Sequence, residues 1–352
     1  MLAAWLAASV GALSWSGAPL KGRASSVASR SVVVSQVNSD SRVSAEYMDF
    51  LLGKLKYDVT EDCPSVIVGN GRIGSMLLEF GQRRKYNDVL VKRGDPIPAD
   101  HPGPVYVCTQ AADLEAVLAA CPEEKKDDLV FLQDGMLEPV FQRTGCYGCT
   151  QVSLWMSQMR VGGKPKDGAT REQPEGLSTV SGKWAGSVAM RLGTGDLTCQ
   201  VRMERDGRRA MLERLIFVTA YGLVGTATGT ATYGEVASKH GEDVAQICRE
   251  LASCVRYTLS VALKSEIDER LAAHAAHLDF VKTSTEEGRL VDFEFRSGYF
   301  YRLSKMAGKR VLADGRKVDI PDGTPLHTEY LLYAVEEGHL DQATLDAVLP
   351  PA

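Results

Sequence analysis

SVIVGNGRIG, residues 65–74, runs a β-branched strand, Val66 to Val68, into the triplet Gly69-x-Gly71-x-x-Gly74. A helical pattern follows in SMLLEFGQRR, with Met76, Leu77 and Phe80 on one face. The triplet alone is common; between a strand and a helix it signals a dinucleotide crevice. Each glycine has a physical task there. Gly69 permits the tight turn, Gly71 lets the backbone approach a pyrophosphate, and Gly74 lets the helix pack on the strand. The helix start adds N–H groups and a partial positive charge. Gly69, Asn70, Gly71, Arg72, Ile73 and Gly74 are therefore the expected contacts of the phosphates. The plainer alternative is a glycine-rich turn in an unrelated α/β unit.

The second strand bears on which dinucleotide. NDVLVKRGD reads as a strand, Val89 to Lys92, ending on Lys92 and Arg93. An Asp or Glu at this end suits the ribose 2′-OH of NAD, and an Arg suits the 2′-phosphate of NADP. Arg93 lies 19 residues after Gly74, and a guanidinium grips phosphate with two N–H groups at once. Asp95, two residues on, is the competing feature. The expected cofactor is NADP(H), with Lys92 and Arg93 at its phosphate. PVYVCT (104–109) is the next strand. Its exit, Thr109-Gln110, should border the cofactor, because ligands sit at the carboxyl ends of such strands. Only about a dozen residues part Arg93 from Val105. They leave no room for a full extra strand–helix unit, so the Rossmann-type parallel sheet reads as trimmed.

The chain has 352 residues, enough for two cores. It is 44% hydrophobic and 24% charged, as globular proteins are. A net charge of −5 leaves no cationic excess to neutralise phosphates, which argues against nucleic acid as a partner. Eight scattered cysteines do not form a disulfide framework at this length and point to a reducing compartment. Residues 1–39 hold nine Ser, three basic residues and no acid, behind the apolar start LAAWLAASVGAL. That pattern fits an organellar transit peptide, plastid before mitochondrion, rather than part of the fold. Residues 1–45 are read as this leader, 46–205 as the dinucleotide-binding domain, and 206–352 as an all-helical domain. Past the first 12 residues no apolar run approaches a membrane span.

The helical reading rests on AMLERLIFVTAYGLVG, apolar on nearly all sides, and on the periodic stretches EDVAQICRELASCVRYTLSVAL and SEIDERLAAHAAHLDFV. PLHTEYLLYAVEE (325–337) is a closing helix with Pro325 in its first turn. TREQPEGLSTVSGKWAGSVAMRL reads as a loop and then a helix, and LTCQVR (197–202) as a last strand. Cys146-x-x-Cys149 lacks the further ligands a zinc site needs. His274 and His277 share a helix face, expected to be solvated. No metal site is expected.

GNGRIG, Arg93, LVFLQDGM (129–136), MLERLIFVTAYGLVG (211–225) and VDFEFRSGYFYRL (291–303) together resemble the ketopantoate reductase family, in its plastid-targeted plant and algal branch. The resemblance covers roughly residues 64–340. It implies an N-terminal Rossmann domain, an all-helical C-terminal domain of the 6-phosphogluconate-dehydrogenase type, and NADPH with a 2-keto acid between them. A homodimer is compatible with it. Its catalytic positions are altered. The strand-exit Asn-Gly falls on Asp134-Gly135, the catalytic Lys on Arg214, a later Asn on Val218, and the substrate-binding Glu on Asp292, six residues before Gly298. The carboxylate-binding Ser has no clear counterpart; Thr283, Ser284 and Thr285 are nearby.

These departures have a chemical meaning. Reduction of a ketone leaves an alkoxide that needs a proton, which a buried Lys can supply. Arg stays protonated, so Arg214 can stabilise an oxyanion but is a poor donor. Asp134 is then the expected donor if burial raises its pKa, or else an ionised partner of Arg214. Arg214 and Asp292 are expected to face each other over the substrate. Two functions follow: an NADPH-dependent reductase of a small 2-keto acid or related carbonyl, or a non-catalytic NADP(H)-binding sensor or assembly protein.

Overall fold

Runs of three or four apolar residues build the sheet. β1 (Val66–Val68) enters α1 (Arg72–Arg83), and β2 (Val89–Val91) follows. No helix lies between β2 and β3 (Val105–Val107). Then come α2 (Leu114–Ala120), β4 (Leu129–Phe131), α3 (Glu138–Thr144) and β5 (Thr150–Ser153). A small hairpin of β6 (Met156–Ser157) and β7 (Lys166–Asp167) precedes β8 (Thr179–Ser181), α4 (Ala185–Gly193) and β9 (Gln200–Val201). These come from a computed structural model, which describes residues 60–171, 173–311, 317–319 and 321–349. The leader read over 1–45 lies outside the described residues, which all belong to one compact unit, Lys56–Ala352.

Among the described residues the main sheet runs β2-β1-β3-β4-β5-β8-β9. β1 pairs in parallel with β2 on one side and β3 on the other, and β3, β4 and β5 continue in parallel. β8 joins β5 antiparallel, with β9 parallel beyond it. The strand order reverses beside β1, which opens a crevice at its carboxyl end. The trimmed sheet expected from the short Arg93–Val105 link is what forms. β1, β3 and β4 are buried along their whole length, as strands covered on both faces must be.

The stretch read as loop and then helix also holds β8. Thr179–Ser181 is too short to show period-two patterning, and its pairing with β5 comes from tertiary contact. Arg191 of α4, fully buried, ties the sheet's amino end together. Its Nε contacts both oxygens of Asp62 at 3.1 and 3.0 Å, and its Nη1 reaches Asp88 at 2.8 Å.

α5 (Glu204–Ala227) starts against the sheet and continues into the helical part. A Cβ at position 207 would come within 2.6 Å of the Ser181 hydroxyl, so Gly207 allows this close approach. Beyond Leu212 the helix is buried on almost every side. α6 (Tyr233–Lys239), α7 (Gly241–Leu259), α8 (Ile267–His277), α9 (Ser297–Gly308), the hairpin of β10 (Lys309–Val311) and β11 (Lys317–Asp319), α10 (Pro325–Glu336) and α11 (Gln342–Ala347) complete the order. α5 is the one helix among the described residues long and apolar enough to cross a membrane, and 78% of its apolar window is buried inside the protein. His274, expected on a solvated face, is instead 1% exposed. The ring of Trp155 lies 4.5 Å from it, edge-on, and Phe217 lies 5.2 Å away.

Candidate functional site

The crevice beside β1 is lined as its sequence predicts. Gly69 adopts φ +100°, a conformation L side chains rarely take. A Cβ at Gly74 would come 2.0 Å from the Gly69 carbonyl oxygen, so helix and strand meet only if this residue is glycine. Gly71 differs: nothing lies within 4 Å of where its Cβ would be. Its backbone faces open space where a pyrophosphate can approach. Gly71 is the N-cap of α1, and no side chain caps the helix there, so the first N–H groups remain available to an anion. Asn70 takes the Ser75 hydroxyl on its Oδ1 at 2.9 Å, and Arg72 reaches the Gln158 carbonyl at 3.1 Å. Ile73 is half-buried at the start of the helix.

At the end of β2 the competing residues part. Asp95 accepts the Lys92 backbone N–H at 3.0 Å and donates its own N–H to the Lys92 carbonyl, closing a turn. Its carboxylate is committed to backbone. Arg93 extends outward, 90% exposed, with one 3.5 Å contact to Asp113. At the end of β3, Gln110 is exposed and the Thr109 hydroxyl is buried without a partner among the described residues.

The β4 exit links this crevice to the helical part. Gln133 donates to the carbonyls of Val107 and Thr109 at 2.9 and 3.0 Å, fastening the ends of β4 and β3 together. Gly135 sits at φ +148°, and a Cβ there would come 2.8 Å from Phe295 Cβ. The Met136 N–H bonds the Phe295 carbonyl at 2.8 Å. The 3-10 turn Phe293–Phe295 is thereby clamped onto the strand exit, and it brings two charged side chains with it. Asp292, before the turn, holds φ +46°, a costly backbone state for a residue with a side chain. Gly298 lets α9 close over the turn, since a Cβ there would meet the Phe293 carbonyl at 2.8 Å.

Four ionic side chains result. Arg214 grips Asp134 with two prongs, Nε to Oδ1 at 2.9 Å and Nη2 to Oδ2 at 2.8 Å. The Arg214 guanidinium lies over Trp155, 5.0 Å from the ring centre, and 5.5 Å from that of Phe217. Arg296 donates to Asp292 at 3.2 Å. Arg214 and Asp292, expected to face each other over the substrate, are each bonded to another charged side chain, Asp134 and Arg296. Val218 is buried in the apolar core and adds no polar atom.

The environment drives the two carboxyl groups apart. Burial alone would raise Asp134, but the charge and hydrogen bonds of Arg214, with Arg296 nearby, outweigh it and hold the carboxyl below its usual range. Of the two expected roles of Asp134, this direction favours the ionised partner of Arg214. Asp292 goes the other way. Burial raises it, Arg296 opposes, Asp134 adds to the rise, and the net direction is up. Burial first, then Arg214, pushes His274 down to about 3, so it is neutral.

A small cleft between β4, β5, β8 and the start of α5 is lined by Gln133, Gly135, Ser153, Ser181 and Arg208 among others, the first two flanking Asp134 in the chain. Thr283 does not reach the cluster's chemistry, since its hydroxyl bonds the Thr230 carbonyl at 2.6 Å and its methyl packs where Gly225 leaves room. Arg296 escaped the sequence reading. Its signal was slight: an Arg four residues after Asp292 and two before Gly298. Among the described residues no three metal-ligating side chains come together.

No protein-family model and no curated protein matches the sequence. Solved structures do. A ketopantoate reductase from Ralstonia eutropha aligns with TM-score 0.57 at 14% identity, over 78% of this chain and 100% of its own. This chain has the ketopantoate reductase fold. A D-mandelate dehydrogenase solved with NADH and anilino(oxo)acetate aligns at TM-score 0.53 and 13% identity, over 78% and 99%. A dimeric ketopantoate reductase from Staphylococcus aureus aligns at 0.51 and 13%, over 78% and 100%. On the ketopantoate reductase fold the glycine crevice and the four-residue cluster occupy one sheet edge. Function has to be argued from those residues, because folds host many chemistries.

Proposed function

We propose that this protein binds NADP(H) at the Gly69–Gly74 crevice and reduces a small 2-keto acid or related carbonyl at the Arg214–Asp134–Arg296–Asp292 cluster. The observation that carries this reading is the clamp from Gln133 to Phe295. It fastens the β4 exit, which carries the buried, charged cluster, to the end of β3, the neighbour of β1 and its open glycine crevice. The preference for NADP(H) rests on Arg93 being exposed and Asp95 being committed to the Lys92 turn.

A nicotinamide held at Gly69–Gly74 would supply a hydride, two electrons, for the carbonyl carbon. The chain's residues do the rest. Arg214, whose charge is fixed by Asp134, offers an N–H toward the oxygen on which negative charge develops. Asp292 carries the proton. Its O–H bond breaks as the alcohol O–H forms, and the carboxylate left behind is paired with Arg296. Trp155 and Phe217 keep water from the guanidinium, which strengthens its pull on charge. Purified protein mixed with NADPH and a panel of 2-keto acids tests the reading by loss of nicotinamide absorbance. Oxidation with none of them removes it.

One observation favours the second reading, a non-catalytic NADP(H) sensor or assembly protein. The Asp134 carboxylate already fills the Arg214 fork, where a substrate carboxylate would bind. Tight NADPH binding without turnover supports that alternative. The leader's composition supports a plastid address, and a fluorescent fusion in a plastid-bearing cell tests it. The dimer of the staphylococcal protein of like fold supports a homodimer here, which light scattering tests.

A further inference from the structure

We infer that Arg296 is the anchor for the substrate's carboxylate. The word substrate rests on the reductase reading; the anion site itself does not.

The geometry begins with position. Arg296 follows the turn clamped to the β4 exit, and its side chain is only 13% exposed. One Nη is bonded to Asp292, and its Nε is buried with no hydrogen-bond partner among the described residues. Arg214 Nη1 is in the same condition. Arg214 and Arg296, each bonded to one carboxylate of the cluster, thus each keep one buried N–H unfilled. Buried donors without partners are costly, and such groups in a folded protein point to an unfilled role.

Two of the three hydroxyls near the expected carboxylate position, those of Thr283 and Thr285, are committed. The Thr283 hydroxyl bonds a backbone carbonyl, and the Thr285 hydroxyl accepts the Arg289 N–H at 3.1 Å. Asp134 is taken by the Arg214 fork, and Arg296 bonds Asp292 through one Nη alone, so the Arg296 Nε is left to a ligand carboxylate.

Calorimetric titration of oxamate, a non-reducible 2-keto acid analogue, and of its uncharged ethyl ester tests this on native, Arg296→Ala and Arg296→Lys protein. Native protein is expected to prefer oxamate. Arg296→Ala should weaken oxamate roughly tenfold or more, the scale of a charged hydrogen bond, and leave the ester nearly unchanged. Arg296→Lys should recover part of the loss while melting like native protein. Equal affinity for acid and ester, no oxamate binding to native protein, or equal loss of both ligands in Arg296→Ala overturns the proposal. Oxamate held through Arg296 without NADPH oxidation on any 2-keto acid keeps the anchor and removes the reductase reading.

Discussion

Arg214 and Asp134 lie 80 residues apart in the chain and meet in a two-pronged ion pair, 2.9 and 2.8 Å, over the face of Trp155. The pair holds the Asp134 carboxyl below its usual range, while burial raises the other carboxyl of the cluster, Asp292. In the proposed reductase the proton is therefore assigned to Asp292.

Asp134→Asn separates these roles. It removes the negative charge that helps raise Asp292, so the Asp292 pKa falls. An acid works while protonated, and its activity declines as pH rises through its pKa. The alkaline limb of kcat against pH should therefore move to lower pH in Asp134→Asn, with NADPH binding retained. An unmoved limb removes Asp292 from the donor role.

Arg93→Ala should weaken NADPH by about 1.5–3 kcal/mol, the worth of a charged hydrogen bond, and leave NADH unchanged. Fluorescence titration with both cofactors measures the difference. Equal affinity of native protein for the two overturns the 2′-phosphate assignment.

Gly71→Ala and Gly74→Ala should fail differently. The Cβ at 71 meets open space, so Gly71→Ala melts like native protein but binds NADPH poorly. The Cβ at 74 meets the Gly69 carbonyl at 2.0 Å, and relieving that clash costs about 1–3 kcal/mol or more. Melting curves with and without NADPH distinguish the two defects.

Arg191→Met should destabilise the protein by about 3–5 kcal/mol, because it leaves buried Asp88 without its counter-charge and buried Asp62 with Arg84 alone. Urea unfolding reads the change. A loss under about 1 kcal/mol would mean that water or protonation relieves those acids.

Acid should unfold the protein partly through His274 and His327. Burial lowers His274 to about 3 and His327 to about 4, with Asp322 opposing in the second case. Their folded pKa lies below the unfolded value near 6.5, so the unfolded chain binds protons first. Stability is full above pH ~6.5 and falls by up to about 1.4 kcal/mol per unit per histidine as pH drops toward the folded values. His327→Gln should flatten that slope in urea titrations across this range.

The sequence alone determined the dinucleotide half of the protein. Its signals are local: three glycines at fixed spacing after a β-branched run, a strand ending on Arg93, and a link to Val105 too short for another unit. Helix periodicity likewise marked α5, α7, α8 and α10, whose apolar faces repeat along the chain. Only the tertiary structure decided the chemistry of the charged cluster. Whether Asp134 is neutral or ionised depends on how near Arg214 comes, 80 positions away, and on how deeply both are buried. Arg296 and the buried His274 were illegible for the same reason. A lone charged or polar side chain takes its role from its neighbours in space, and those neighbours are set by the clamp between Met136 and Phe295 rather than by any pattern along the chain.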